Sequence, residues 1–559
     1  MVRRFLQYIS QEISGLHEAA YLLGFFALLS QLLGFLRDRL LAGEFGAGEL
    51  LDIYYAAFRV PDFIFIWGAS MVSLSVLIPF LSRRISEGKE AARRLLDDIF
   101  TCFFLFILAV SLGALYVAPQ LTLFLFPGFD AEAQSMTILL MRIMLLQPIF
   151  LGISNLFASI TQLERRFFIY ALSPLLYNAG IIVGVVYLYP RLGMAGLAWG
   201  VVLGAVLHLL VQLPVIAQSG LIPRFTLSIS WRDMREVALV SLPRTFALSA
   251  QNLAVLVLVS LGSLLGVGSI AVFHLSWNLQ SMPLAIVGAS YSLAAFPTLS
   301  LLWSGGNREK FIALLSTSLR HILFWSLPAL ALFVVLRAQI VRTVLGSGAF
   351  DWGDTRLTAA SLALFALSIV AQSIILLFTR GYYAAGKTKV PFLVGSLSAV
   401  SIIFFAFLFS KLFVAIPIFR FFIETLFRVS DLPGTTVLIL PLSYSLGVIG
   451  AAIVSWAVFT RQFASFEPRV VRTFWQCFAS AVIIGATSYG LLNVFDGVFN
   501  LHTTLGVFLQ GLFSGMGGIA AGICVLFLLG NLEIREIWRT LHQKIWKAKI
   551  VPDQTETTF

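Results

Sequence analysis

The sequence predicts an all-α polytopic membrane protein with 14 transmembrane helices: two six-helix lobes in a parallel pseudo-twofold repeat, plus two extra C-terminal helices. Three observations carry this expectation. Apolar residues make up 59% of the chain and the mean hydropathy is +0.93, more apolar surface than a water-surrounded domain can hide. Apolar windows of the roughly 20 residues that a helix needs to cross hydrocarbon recur along the whole chain. Two stretches six spans apart also share the same loop chemistry.

In order, the spans are expected at 19–36, 55–82, 98–126, 135–160, 168–189, 194–216, 238–264, 268–300, 317–340, 357–380, 390–413, 435–460, 472–494 and 504–530. Basic residues before span one, with Gln11, Glu12, His17 and Glu18 among them and no small-residue cleavage site, predict an uncleaved amphipathic leader over 1–18. Positive charge assigns the sides. With the N-terminus in the cytoplasm, the clusters Arg83, Arg84, Lys89, Arg93 and Arg94, then Arg224, Arg232 and Arg235, then Arg461, Arg469 and Arg472 all fall in cytoplasmic segments. Both termini are therefore expected inside. The organisation that follows is an N-lobe over 19–216, a cytoplasmic linker over 217–237, a C-lobe over 238–460, spans thirteen and fourteen over 472–530, and a basic tail over 531–559. Two segments read as amphipathic helices at headgroup level: the outer insert over 414–434, which carries Arg420, Glu424 and Arg428, and the tail helix over 533–551.

The repeat lies in "IPFLSRRISEGKEAARRLL" (78–96) after span two and "FPTLSLLWSGGNREKFIALL" (296–315) after span eight. Pro79, Ser82, Ser86 and Gly88 match Pro297, Ser300, Ser304 and Gly306. Six is even, so the second copy starts on the same side as the first. Lobes related in this way leave a midplane cavity that rocking exposes to each side in turn, which predicts a transporter.

Composition excludes other classes. The net charge of +11 follows from cytoplasmic loops and gives no reason to invoke nucleic acid. Cys102, Cys477 and Cys524 lie in or beside apolar runs without ligand spacing, so neither a metal nor a disulfide is expected. A polyprenyl-phosphate transferase needs clustered carboxylates for Mg²⁺, and Asp97-Asp98 stands alone. No catalytic residues are expected.

The most charged membrane boundary is "SQLLGFLRDRLLAGEFGAGELLDIYYAAFRVPDF" (30–63). It resembles the span-one-to-two signature of MurJ-type lipid II flippases, of the multidrug/oligosaccharidyl-lipid/polysaccharide exporter superfamily. "LAWGVVLGAVLHLLVQLP" (197–214) matches the family's span six, and "SPLLYN" (173–178) and "RGYYAAGKTKVP" (380–391) look like further signatures. The resemblance covers all the spans in order. It implies export of lipid II, the undecaprenyl-pyrophosphate-linked disaccharide-pentapeptide, across the bacterial inner membrane. Such a head cannot cross hydrocarbon unaided, and guanidinium forks suit its pyrophosphate. The lipid tail is expected to lie along spans thirteen and fourteen. By the resemblance, Arg37 is a pyrophosphate contact with Asp38 beside it, and Asp52 helps close the outer gate. Arg59 is grouped with the substrate residues and Asp62 with the gate, near the proline break of span two.

The sequence departs from the family at three cationic positions, where Gln31, Phe65 and Asn278 stand instead. Either the charge is relocated, to Arg244 and Arg142, or the cargo is another lipid-linked molecule. His274, Gln280, Gln251 and Asn252 either line the cavity or act as packing glue. The remaining alternatives are an exporter of another lipid-linked oligosaccharide or polysaccharide, and a non-transporting homologue. The expected partners are the lipid-linked precursor and membrane lipids, with cell-wall synthesis proteins as further candidates and the chain itself a monomer. No cofactor is expected. Coupling to a monovalent ion, or to membrane potential at roughly 2.3 kcal/mol per charge per 100 mV, is open.

Overall fold

The computed structural model describes residues 16–71, 74–463, 468–536, 538 and 539. Most of the amphipathic leader and most of the tail helix lie outside the described residues. A helix occupies each of the fourteen stretches expected to be apolar spans. Among the described residues, ten helices are long and apolar enough to cross a membrane, or eleven if the pair Trp352–Ala366 and Ile369–Ala384, bent by 41°, counts as one. The other three stretches fall on Leu16–Phe45, on Glu49–Met71 with Leu74–Glu87, and on Trp231–Ser263, each carrying ionisable residues within its length. The chain is a multi-pass helical membrane protein, whose lipid-facing positions include Leu393, Val400, Phe404 and Phe407 of span eleven, all exposed.

Two compact units divide the chain. The first comprises Met1–Met282, Ile340–Ser368 and Gly386–Ser455. In it, spans five and six approach backbone to backbone. A Cβ on Gly184 would meet Gly200 Cα at 2.7 Å, and one on Gly180 would meet Gly204 Cα at 2.3 Å. Glycines four apart on both helices make this approach available, and dispersion replaces the hydrophobic force that lipid cannot supply. The outer insert folds as a helix, Pro417–Phe427, with Ile418, Phe421, Phe422 and Leu426 exposed. Arg356 ties the following turn down by two bonds to Asp431, at 2.7 and 2.6 Å.

The second unit comprises Pro283–Gln339, Ile369–Ala385 and Trp456–Phe559. Glycines again permit close packing of spans thirteen and fourteen, where a Cβ on Gly522 would meet Ile484 Cγ1 at 2.4 Å. Arg320 and Glu533 form a buried ion pair at 3.0 Å, which holds the start of the tail against span nine. The matched repeat glycines behave alike. Gly88 and Gly306 both take positive φ, 128° and 73°, where the chain turns into the next helix.

Candidate functional site

Span one, Leu16–Phe45, buries Asp38, Leu41 and Ala42 on one face, at helical spacing. Arg37 is the residue beside that face. Its Nε and Nη2 both donate to Asp38 Oδ1, at 2.9 and 2.8 Å, so the guanidinium folds back on its neighbour. Its Nη1 donates to Asn178 Oδ1 of span five at 3.1 Å. The other carboxylate oxygen of Asp38 accepts from Asn278 Nδ2 of span eight at 2.9 Å. Asn178, Arg37, Asp38 and Asn278 thus form one polar row across three spans.

A second polar group stands beside it. Span two, Glu49–Met71, contains Pro61, which deprives its helix of one backbone donor next to Arg59 and Asp62. Arg59 Nη2 lies 2.6 Å from His274 Nδ1 of span eight, and Gln147 donates to Asp62 Oδ1 at 3.2 Å. The Tyr55 ring lies over His274 at 4.0 Å between centroids. Arg59 Nε and Tyr55 Oη are buried without a protein partner. A cavity of about 250 Å³ opens among Arg37, Tyr54, Tyr55, Asp62, Tyr177, His274 and Asn278.

The arginines of this cavity have carboxylates beside them. Arg37 is matched by Asp38, and Asp62 stands three residues from Arg59. Unpaired guanidiniums in so dry a place would carry a large desolvation cost, and the carboxylates offset it. Any anionic ligand must therefore compete with Asp38 for Arg37.

Asp52 performs a different task. It is buried in the first turn of span two, and its two oxygens accept from Gly268 N at 2.6 Å and Ala271 N at 2.7 Å. These are the free amides that begin span eight at Ser269, so one carboxylate caps a helix that starts more than 200 residues later. The approach is tight. Gly268 has φ +84°, and a Cβ there would sit 2.0 Å from the Ala47 carbonyl oxygen. The same end is tied twice more. Arg39 donates to the carbonyls of Thr343, Val344 and Gly346, which end the helix Arg337–Leu345, at 2.7, 3.2 and 3.1 Å. Asp354 accepts from Ala47 N at 3.0 Å. At the opposite end of the span-two stretch, Arg84 binds both oxygens of Asp233, at 2.9 and 2.8 Å.

The remaining candidates are scattered. Gln31 and Phe65 are half-buried and outside the cavity lining. Arg142 is exposed on the helix Ala131–Met144, which removes it as a relocated cavity charge. Arg244 lies on Trp231–Ser263, with its side chain outside the described residues. Gln251 donates to Tyr444 Oη at 3.3 Å, a packing contact. Among the described residues no three His, Cys, Asp or Glu side chains are placed to hold a metal ion. Sequence reasoning gave no role to Asn178, although it ends the quoted "SPLLYN" stretch, and left His274 open between lining and packing.

The architecture is the helical fold shared by solved multidrug and lipid exporters. A solved multidrug-resistance MATE-family transporter in an inward-facing conformation superimposes with a TM-score of 0.62 at 16% identity, covering 78% of this chain and 94% of that one. A solved lipid II flippase MurJ in an inward-closed conformation gives a TM-score of 0.71 at 21% identity, covering 93% of this chain and all of that one. Among sequence relatives, the lipid II flippase MurJ of Burkholderia cenocepacia is 27% identical over 376 residues, 66% of this chain and 73% of that protein. The probable lipid II flippase MurJ of Bdellovibrio bacteriovorus is 28% identical over 405 residues, 70% of this chain and 77% of that protein. The family model for lipid II flippase MurJ matches residues 41–418, and this chain belongs to that family.

Proposed function

We propose that this protein is a bacterial inner-membrane flippase that carries lipid II outward by alternating access. The observation that carries the reading is Arg37, held by Asn178 and Asp38 at the wall of a buried cavity in a chain of this family. The cargo's pyrophosphate offers two charges and several acceptors, and a guanidinium fork that leaves Asp38 for it exchanges one charge-assisted contact for another. The two lobes, 19–216 and 238–460, rock about the cavity with both termini in the cytoplasm. The lipid tail stays beside spans thirteen and fourteen, and no cofactor takes part. Asp52 closes the outer end by capping span eight, and the cavity opens outward when that cap is released. The functional partners are the lipid-linked precursor and the surrounding lipids, with cell-wall synthesis proteins supplying and consuming the cargo, and the flippase works as a monomer. Of the two explanations for the departures at Gln31, Phe65 and Asn278, relocation of charge to Arg142 is not supported by its exposed position, and Arg59, 2.6 Å from the cavity-lining His274, is a further cation near the site.

The test is rescue of bacteria depleted of their own lipid II flippase, with labelled lipid II scored in the outer leaflet. Rescue that is lost on Arg37→Ala and on Asp52→Ala is expected. A well-expressed wild-type chain that gives no outer-leaflet lipid II overturns the reading.

A further inference from the structure

The contact between Arg59 and His274 has a consequence for the chemistry of the cavity. A guanidinium has donors only, so at 2.6 Å from Arg59 Nη2 the His274 Nδ1 must be the acceptor and the ring must be neutral, with its proton on Nε2. A proton on Nδ1 would put two cations in direct contact and break the pair. The released guanidinium has somewhere to go. Its Nε is already buried without a protein partner, and Asp62 lies three residues on, along the same helix face. The titratable groups around His274 are Tyr54, Tyr55, Arg59 and Asp62 from span two, Arg37 and Asp38 from span one, and Tyr177 from span five. The two arginines and two aspartates among them balance, so a proton on His274 gives the cavity one net positive charge.

We propose that His274 is a proton-binding site linked to cargo: neutral, it occupies Arg59; protonated, it frees Arg59 and itself faces the anion. A pyrophosphate in the cavity then binds with uptake of one proton, and by reciprocity a lower pH tightens its binding. This rests on the reading of the Arg37 cavity as the pyrophosphate site. It gives transport an ionic coupling whose carrier is the His274 ring itself.

The experiment is calorimetry on the full-length chain in lipid nanodiscs, titrated with lipid II carrying a shortened prenyl tail. Its disubstituted pyrophosphate does not titrate in the range used. Heats measured at one pH in buffers of different ionisation enthalpy give the number of protons taken up. The expected result is about one proton per lipid II, with Kd rising about tenfold per pH unit across the titration of His274. His274→Gln and His274→Asn abolish the uptake and flatten the pH profile. His208→Gln, at a histidine bonded instead to Ser154 Oγ at 2.7 Å, keeps both. Lipid II binding without proton uptake in the wild type, or uptake that survives both His274 variants, overturns the proposal and leaves the flippase reading intact. Absence of any lipid II binding by the wild type overturns both.

Discussion

Replacing Asp52 is expected to open the outer end of the protein while leaving its helices formed. The carboxylate is 3% exposed and accepts two amide bonds, at 2.6 and 2.7 Å, from the start of span eight. Bonds to a charged acceptor contribute roughly 1.5–3 kcal/mol each, and a carboxylate at a helix N-terminus adds up to about 2 kcal/mol when partly buried. In an opened state water satisfies the same amides, so only part of that total favours closure. About 3–4 kcal/mol is a reasonable share, equivalent to a shift of roughly 10²- to 10³-fold in the closed-to-open ratio. Asp52→Ala should lose all of it. Asp52→Asn keeps one acceptor and should lose about half, a shift of roughly 10- to 30-fold. The assay is pulsed electron–electron distance measurement between spin labels at Leu50 and Val267, which are 37% and 71% exposed, in a background lacking Cys102, Cys477 and Cys524. The wild type should give one short distance, Asp52→Asn a mixture, and Asp52→Ala mostly a longer one. Identical distance distributions in all three proteins would refute the argument that this cap holds the two spans together.

Three further outcomes follow from the geometry. Gly200→Leu should force spans five and six apart, because even a Cβ there would sit 2.4 Å from Gly184 Cα; a loss of at least about 1–3 kcal/mol should appear as a lower midpoint in thermal unfolding. Arg37→Lys keeps the charge but cannot hold Asn178 and Asp38 together, so flipping should fall by roughly tenfold or more while thermal stability changes little. Glu533→Gln leaves Arg320 buried without its charge partner and should cost about 3–5 kcal/mol in thermal unfolding, whereas the double variant Arg320→Met with Glu533→Gln should recover much of it.

The elements that sequence could place are those set by local composition. Apolar length located a helix at every expected stretch, and the charged boundary at 30–63 marked the part of the chain where the polar contacts gather. What sequence could not supply were partners. Arg37 meets Asn178 across 141 positions, Arg59 meets His274 across 215, and Asp38 meets Asn278 across 240. No periodicity encodes such pairings, and so Arg59 was assigned to cargo without the histidine that occupies it. The glycine stripes of spans five and six were legible as spacing, yet their role needed the facing helix. Arg142 is a different case. Its place in an apolar run suggested an inward charge, but a helix also has a lipid-facing side, and a long side chain there can carry its charge toward the headgroups.

The balance of charge in the cavity bears on how a flippase of this kind can be driven. A permanently cationic site would bind a pyrophosphate tightly and release it slowly, whereas a paired site releases it by recapturing its own carboxylate. On the proposed reading, a cavity of about 250 Å³ is too small for a disaccharide-pentapeptide, and Asp38 would hold Arg37 until cargo arrives. Both ends of span two are held in that state, one by Asp52 and the other by Arg84 with Asp233. The two ties differ in kind. Asp52 is buried and caps a helix, while the Arg84 and Asp233 side chains are 33% and 22% exposed, where an ion pair contributes about 1 kcal/mol or less. The inner end should therefore open first and admit cargo from the cytoplasmic leaflet. On the same reading, the stronger cap at Asp52 should yield only after Arg37 has exchanged Asp38 for the anion, because that exchange frees the carboxylate from its arginine and loosens the row that joins span one to Asn278 of span eight. That order, weak tie at one end of span two and strong tie at the other, would give the proposed transport its direction of loading.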